Sequence, residues 1–151
     1  MAWYFLDTSA LAKRYIPSEA GSGRVRSLCR TKVANPIAIA RITPVEIAWT
    51  FGRLRRLGEL DEREVAQAWR SFQRHYANHE YHVVQLGDQV YEGAASLLFR
   101  HPLRAYDAVQ LACALEVRLA AGLTADLYFV TADANQAAAA DREGLAVELI
   151  A

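Results

Sequence analysis

The chain is poor in the features that mark several common protein classes. Only two cysteines, Cys29 and Cys113, occur in 151 residues, and neither has a neighbour at metal-ligand spacing. They read as small buried hydrophobes of a reducing compartment. No window approaches the ~20 continuous apolar residues that cross a bilayer, so no membrane association is expected. The first residues, Met1-Ala2-Trp3-Tyr4-Phe5-Leu6-Asp7, carry no basic stretch and meet an acid early, unlike a signal peptide. A cytoplasmic protein is expected. Repeats, low-complexity tracts and Gly/Ser linkers are also missing, which leaves a single domain over 1–151.

Net charge is absent too, yet the zero hides an asymmetry. Residues 1–58 hold ten Lys/Arg against three acids, and residues 59–151 hold seven against fourteen. A split of +7 and −7 suggests a basic surface for a polyanion or an acidic partner, although charge clustered in sequence need not cluster in space. Lysine is scarce, two against fifteen arginines, so a bias toward Arg explains the basic first third equally well.

The hydrophobic share is high, 53%, enough for one full core in a chain of this length. Five short apolar segments read as strands: Trp3–Leu6, Ile37–Ile42, His82–Leu86, Leu127–Thr131 and Ala146–Ile150. Near-continuous apolar runs suit a parallel sheet covered on both faces. The segments between them are long and mostly helical, which makes the class α/β. Thr43-Pro44-Val45-Glu46 has the form of a capping box with a first-turn proline, opening a helix that stops near Gly58. Asp61-Glu62-Arg63-Glu64 opens a second, and the two form a helical pair over 44–79. Further helices are expected over Asp88 to Arg100, Arg104 to Ala121 and Ala134–Arg142.

Four acids stand at the mouths of these hydrophobic elements: Asp7, Glu46, Asp107 and Asp133. Singly, each has a bland role. Asp7 and Asp133 suit helix caps, Glu46 suits the reciprocal acid of a Thr43 box, and Asp107 suits a helix dipole. Together they suggest a site, because ligands of parallel α/β sheets collect beyond the C-terminal strand ends. Asp7, Asp133 and Glu46 are expected at that rim. Asp107 begins the helix before the fourth strand, which is expected at the opposite rim unless that helix approaches atypically. Gathered carboxylates repel, and a hard divalent cation relieves this while activating water against a phosphodiester. His75 and His79, four apart on one helix, lack the further ligands that zinc requires.

The stretches carrying these acids resemble the PIN-domain ribonucleases, most closely the VapC type of bacterial toxin. Leu6-Asp7-Thr8-Ser9-Ala10-Leu11-Ala12-Lys13-Arg14-Tyr15 is similar to the family's opening motif, and Pro44-Val45-Glu46 to its second. Arg104-Ala105-Tyr106-Asp107-Ala108-Val109-Gln110-Leu111-Ala112 is similar to the third, and Val130-Thr131-Ala132-Asp133 to the fourth. The ordered set spans essentially the whole chain. The resemblance implies a PIN-like three-layer α/β/α fold around a five-stranded parallel sheet of order 3-2-1-4-5. It implies an endoribonuclease dependent on Mg²⁺ or Mn²⁺, with Asp7 and Asp107 as main metal ligands. Glu46 and Asp133 would complete the acidic pocket as further metal-site residues and orient waters, with Ser9 and Thr131 as supporting hydroxyls. It further implies an RNA substrate, a homodimer, and a VapB-like antitoxin whose tail lies across the site.

Trp49, Phe51, Trp69 and Phe72 exceed what one crossover usually buries; most read as core, and the remainder suggest an apolar groove for a dimer mate or an antitoxin helix. Arg53, Arg55 and Arg56 are then candidates for RNA phosphates or an acidic antitoxin tail. A phosphatase of the haloacid dehalogenase type needs a second Asp where Ser9 stands. A receiver domain needs paired acids after the first strand and a late lysine, both missing. The remaining alternative is a PIN-like module that binds RNA or protein without cutting.

Overall fold

A computed structural model of the chain describes residues 1–122 and 126–150. Residues 123–125 and 151, which the single-domain reading of 1–151 includes, lie outside the described residues. The strands are β1 (Ala2–Leu6), β2 (Ile37–Ala40), β3 (His82–Val84), β4 (Asp126–Thr131) and β5 (Ala146–Leu149). The helices are α1 (Thr8–Ala12), α2 (Ser22–Arg30), α3 (Thr43–Arg56), α4 (Glu62–Ala77), α5 (Asp88–Arg100), α6 (Ala105–Ala121) and α7 (Ala134–Arg142), with one 3₁₀ turn at Lys13–Tyr15. The sheet is parallel throughout, in the order β3-β2-β1-β4-β5 that the resemblance implies.

Alternation along β1 explains the three layers. Successive strand residues point to opposite faces, so Leu6 enters one core with Ile37, Ile39, Ile47, Phe51 and Phe72. Phe5 enters the other with Phe129, Leu97, Leu111 and Ala139. Helices α1 to α4 cover the first face, and α5 to α7 the second. The side switches because strand order reverses between β1 and β4, and right-handed crossovers running in opposite directions fall on opposite faces.

Several boundaries differ from the sequence reading. Strand β2 ends at Ala40 rather than Ile42 and β3 at Val84 rather than Leu86, because the chain there turns directly toward α3 and α5. Helix α2 is short and its pattern alone does not single it out; it buries Val25, Leu28 and Cys29. The Asp61 capping box on α4 is present, with Asp61 and Glu64 each accepting from the other's backbone N–H. Cys29 and Cys113 are free and buried, as their isolation suggested.

The Thr43 capping box is absent. Thr43 is already the first helical residue, the cap is Ile42, and the Thr43 hydroxyl accepts a hydrogen bond from Gln110 instead. Topology alone put Asp107 at the opposite rim, and that part is overturned; Asp107 stands at the rim where the resemblance implies it. A helix that returns the chain to the start of a parallel strand runs against the strands, and therefore begins at their C-terminal rim. Accordingly α6 starts among the residues following β1 and β2, through the Gln110 contacts to Thr8 and Thr43. Its last turns, at Val117, Ala120 and Ala121, share a small cavity with Trp3 and His82 at the strand starts. Between those ends the helix is apolar almost all round, with Ala108 to Ala114 buried between the sheet and α5.

Candidate functional site

All four acids stand at the C-terminal rim. Asp7 follows β1 directly and its N–H donates to the Val130 carbonyl of the neighbouring β4 (3.1 Å). The residue is only 2% exposed. Oδ1 accepts from the Ser9 hydroxyl (2.7 Å) and from the Ala10 N–H (3.0 Å), which makes Asp7 the cap of α1. Oδ2 accepts from the Thr131 hydroxyl (2.6 Å). Burial pushes this carboxyl up from 3.8 to about 6 despite the three donors, and the nearby charge of Asp107 adds to the rise.

Asp133 caps α7, Oδ1 accepting from the N–H groups of Asn135 and Gln136. Its own N–H donates to the Thr131 hydroxyl (3.0 Å), and the Ala132 N–H donates to Ser9 (2.9 Å). Ser9 and Thr131 therefore lace the ends of β1 and β4 together around Asp7. The capping role and the place in the pocket are held by the same residue, for Asp7 and Asp133 alike.

Glu46, half-buried in the first turn of α3, accepts at Oε1 from the Thr8 hydroxyl (2.9 Å) and from Nε2 of Gln110 (2.7 Å). Burial raises its carboxyl above the ordinary value, Gln110 and Thr8 pull it back, and Asp107 pushes it up again. Asp107 is raised by burial as well, partly offset by Arg104, whose Nε lies 3.3 Å from Oδ2. The charge of Asp133 acts on Asp107 in the same upward sense. The four groups thus form one electrostatic unit, with Asp107 central to it.

Sequence reasoning gave no role here to Thr8, Gln110, Gln136 or Arg104. Gln110 is 1% exposed and Gln136 fully buried, and the latter's Nε2 donates to the Asp107 carbonyl (3.0 Å), pinning the first turn of α6. Arg104 is the cation nearest the acids through its pair with Asp107. The available signal was the position of Gln110, one helical turn beyond Asp107, as a polar residue in an apolar run.

As donors, the acids suit a hard cation: every atom on offer is a carboxylate oxygen. Glu46 Oε2, Asp107 Oδ1 and Asp133 Oδ2 have no hydrogen-bond partner among the described residues. Among the described residues no three His, Cys, Asp or Glu side chains form a group that would hold a metal as they stand. His75 and His79 form no such group either. His75 accepts or donates at Nδ1 to the Tyr15 hydroxyl (2.7 Å), and His79 is exposed at a positive φ of 56°.

The basic residues divide. Lys13 pairs with Glu19, Arg24 with Glu148, and Arg14 and Lys32 with Glu80, so part of the positive first third is neutralised in space. Arg53, Arg55 and Arg56 lie exposed on the last turns of α3, with Arg53 over the ring of Trp49 (5.7 Å). Trp49 itself is 61% exposed, whereas Phe51 and Phe72 belong to the core. A separate cleft of about 530 Å³ opens between α2 and α4, lined by Arg26, Arg30, Tyr15 and His75 among others, and contains none of the four acids.

Three solved structures of similar fold are distant in sequence. Mycobacterium tuberculosis VapC20, described as a sarcin-ricin loop cleaving toxin, is 20% identical with a TM-score of 0.61, over 90% of this chain and 94% of that one. VapBC2 from Rickettsia felis, bound to a DNA fragment from its promoter, is 12% identical with a TM-score of 0.63, over 99% of each chain. A toxin-antitoxin complex from Klebsiella pneumoniae is 17% identical with a TM-score of 0.56, over 90% and 89%. No curated protein is a significant match in sequence. The PIN domain family model matches residues 4–142, and the chain belongs to that family.

Proposed function

We propose that the chain is a metal-dependent endoribonuclease and the toxin of a toxin–antitoxin pair. The observation that carries this reading is the convergence of Asp7, Glu46, Asp107 and Asp133 at the β1/β4 switch point, where Asp107 raises the carboxyls of Asp7 and Glu46 and is itself raised by Asp133. Family membership and the VapC-type fold neighbours support it.

A bound Mg²⁺ or Mn²⁺ would polarise the phosphate and lower the pKa of an attacking water. The residues supply the rest. Asp7 is the most rigid donor, held by three hydrogen bonds. Asp107 offers Oδ1, and Arg104 is placed to exchange its pair with Asp107 for an RNA phosphate. Glu46 and Asp133 each keep one oxygen for the protein and one for the pocket, which would let each meet the metal, or a water on it, through a single oxygen. Ser9 and Thr131 keep the Asp7 carboxylate aligned. Preorganised charge of this kind lowers a phosphoryl-transfer barrier without reorganisation at the moment of reaction.

The same reading assigns RNA as substrate, Arg53, Arg55 and Arg56 as secondary phosphate contacts, and a VapB-like antitoxin and a second copy of the chain as partners. No described helix is long and apolar enough to cross a membrane, and cytoplasmic action is part of the proposal. The second reading, a PIN-like module that binds without cutting, draws on the Arg104–Asp107 pair, which occupies an oxygen of one of the four acids. Purified protein incubated with structured RNA in Mg²⁺ or Mn²⁺, with 5′ ends mapped, separates the two. Cleavage abolished by EDTA and by Asp7→Asn supports the nuclease; equal cleavage in all samples, or RNA binding with none, overturns it.

A further inference from the structure

Glu46 is held from behind by donors from two other stretches of the chain, Thr8 on α1 and Gln110 on α6. Oε1 receives two donors, the Thr8 hydroxyl at 2.9 Å and Gln110 Nε2 at 2.7 Å. The same Nε2 lies 3.0 Å from Thr8 Oγ1 and 3.1 Å from Thr43 Oγ1, so one amide ties α6 to α1 and α3. The amide orientation follows from charge: turned over, Gln110 would set its carbonyl oxygen against a carboxylate. Its Oε1 is left buried and unpartnered, a cost that this orientation accepts. Glu46 Oε2, by contrast, has no partner among the described residues.

We propose that Gln110 is a positioning residue that makes Glu46 a single-oxygen ligand and so selects small octahedral cations over Ca²⁺. This rests on the metal-dependent reading above. With Oε1 committed to Thr8 and Gln110, the carboxylate cannot turn both oxygens to one ion. Mg²⁺ demands near-ideal octahedral geometry and takes carboxylates through single oxygens, whereas Ca²⁺ accepts bidentate carboxylates in a larger, flexible shell. Releasing Oε1 therefore favours the larger ion at the expense of the smaller.

The test is calorimetric titration of Mn²⁺ and of Ca²⁺ into wild type, Gln110→Met and Thr8→Val. Methionine keeps length and apolar bulk but donates no hydrogen bond. Loss of a partner behind a ligand weakens metal binding by about tenfold. We expect that loss for Mn²⁺ in Gln110→Met, with Ca²⁺ binding unchanged or tighter, so that the Mn²⁺/Ca²⁺ affinity ratio falls. Thr8→Val, which removes the other donor, should lower the ratio in the same direction, and it decides the matter if Gln110→Met melts below the titration temperature. Equal weakening of both ions, or no change in either, overturns the role of Gln110 and leaves it a packing residue. A wild type that binds neither ion overturns the metal-dependent reading itself, a result separate from any behaviour of the variants.

Discussion

Thr131 donates its hydroxyl to Oδ2 of Asp7 across 2.6 Å, joining the end of β4 to the end of β1 at the centre of the sheet. The two residues are 124 positions apart. The bond matters because Asp7 is buried and would otherwise carry an ill-compensated charge. Three donors reduce that penalty without removing it, so the carboxylate remains raised to about 6. An acid in this state is relieved by protonation or by a cation.

The metal-free protein should accordingly lose stability as pH rises. Asp7 titrates near 3.8 when unfolded and at about 6 when folded, so between these values the native state holds more protons than the unfolded state. Stability from this group is fully present below pH 3.8 and declines until pH passes about 6. The full difference corresponds to roughly 3 kcal/mol. Thermal melts in EDTA across this window should show the decline for wild type and a flatter profile for Asp7→Asn. Parallel profiles would remove Asp7 as its source.

Asp7→Asn and Asp107→Asn should each reduce RNA cleavage by at least ~100-fold, because a charge-stabilising group is removed from the transition state. Far-ultraviolet circular dichroism should stay native, since both residues lie at element ends. Full activity in either purified variant contradicts the site.

Mg²⁺ or Mn²⁺ should raise the melting temperature of wild type more than that of Glu46→Gln. A ligand that binds only the folded state adds about 2.7 kcal/mol at a hundredfold excess over Kd. Equal shifts in the two proteins would take Glu46 out of the metal site.

Changing Arg53, Arg55 and Arg56 together to Ala should weaken RNA binding and leave Mn²⁺ affinity intact. For every phosphate that these arginines neutralise in wild type, the slope of log affinity against log salt should become shallower by roughly 0.7–0.9. A wild-type slope would move the search to Arg26 and Arg30, which line the cleft between α2 and α4.

The Tyr15 hydroxyl joins Tyr81 (2.5 Å) and Nδ1 of His75 (2.7 Å), away from the acids. Tyr15→Phe should cost about 1–2 kcal/mol, the usual net loss for a buried hydrogen bond with a partner left unpaired. Metal affinity should be unaffected. A change in both would mean that the two regions are coupled.

Much of this protein was legible in its sequence, because the relevant forces act over a few residues. Apolar runs such as Trp3 to Leu6 mark strands, Asp61 with Glu64 marks a helix start, and Asp7 and Asp133 stand where a cap is needed. The ordered acidic motifs carried the family resemblance and, through it, the strand order. Local reading failed where two satisfactory partners competed. Glu46 has the spacing for a Thr43 box, yet it accepts from Thr8 and Gln110, 38 and 64 positions away. The direction of α6 decided that outcome. Running down the sheet toward β4, it brings Asp107 and Gln110 to the rim, where packing against α1 and α3 offers a buried amide a carboxylate and two hydroxyls. Burial then sets the charges: Asp7 is raised because strands and helices exclude water around it, against the opposing pull of the Ser9 and Thr131 hydroxyls, a property of the assembled sheet that no short stretch of chain contains.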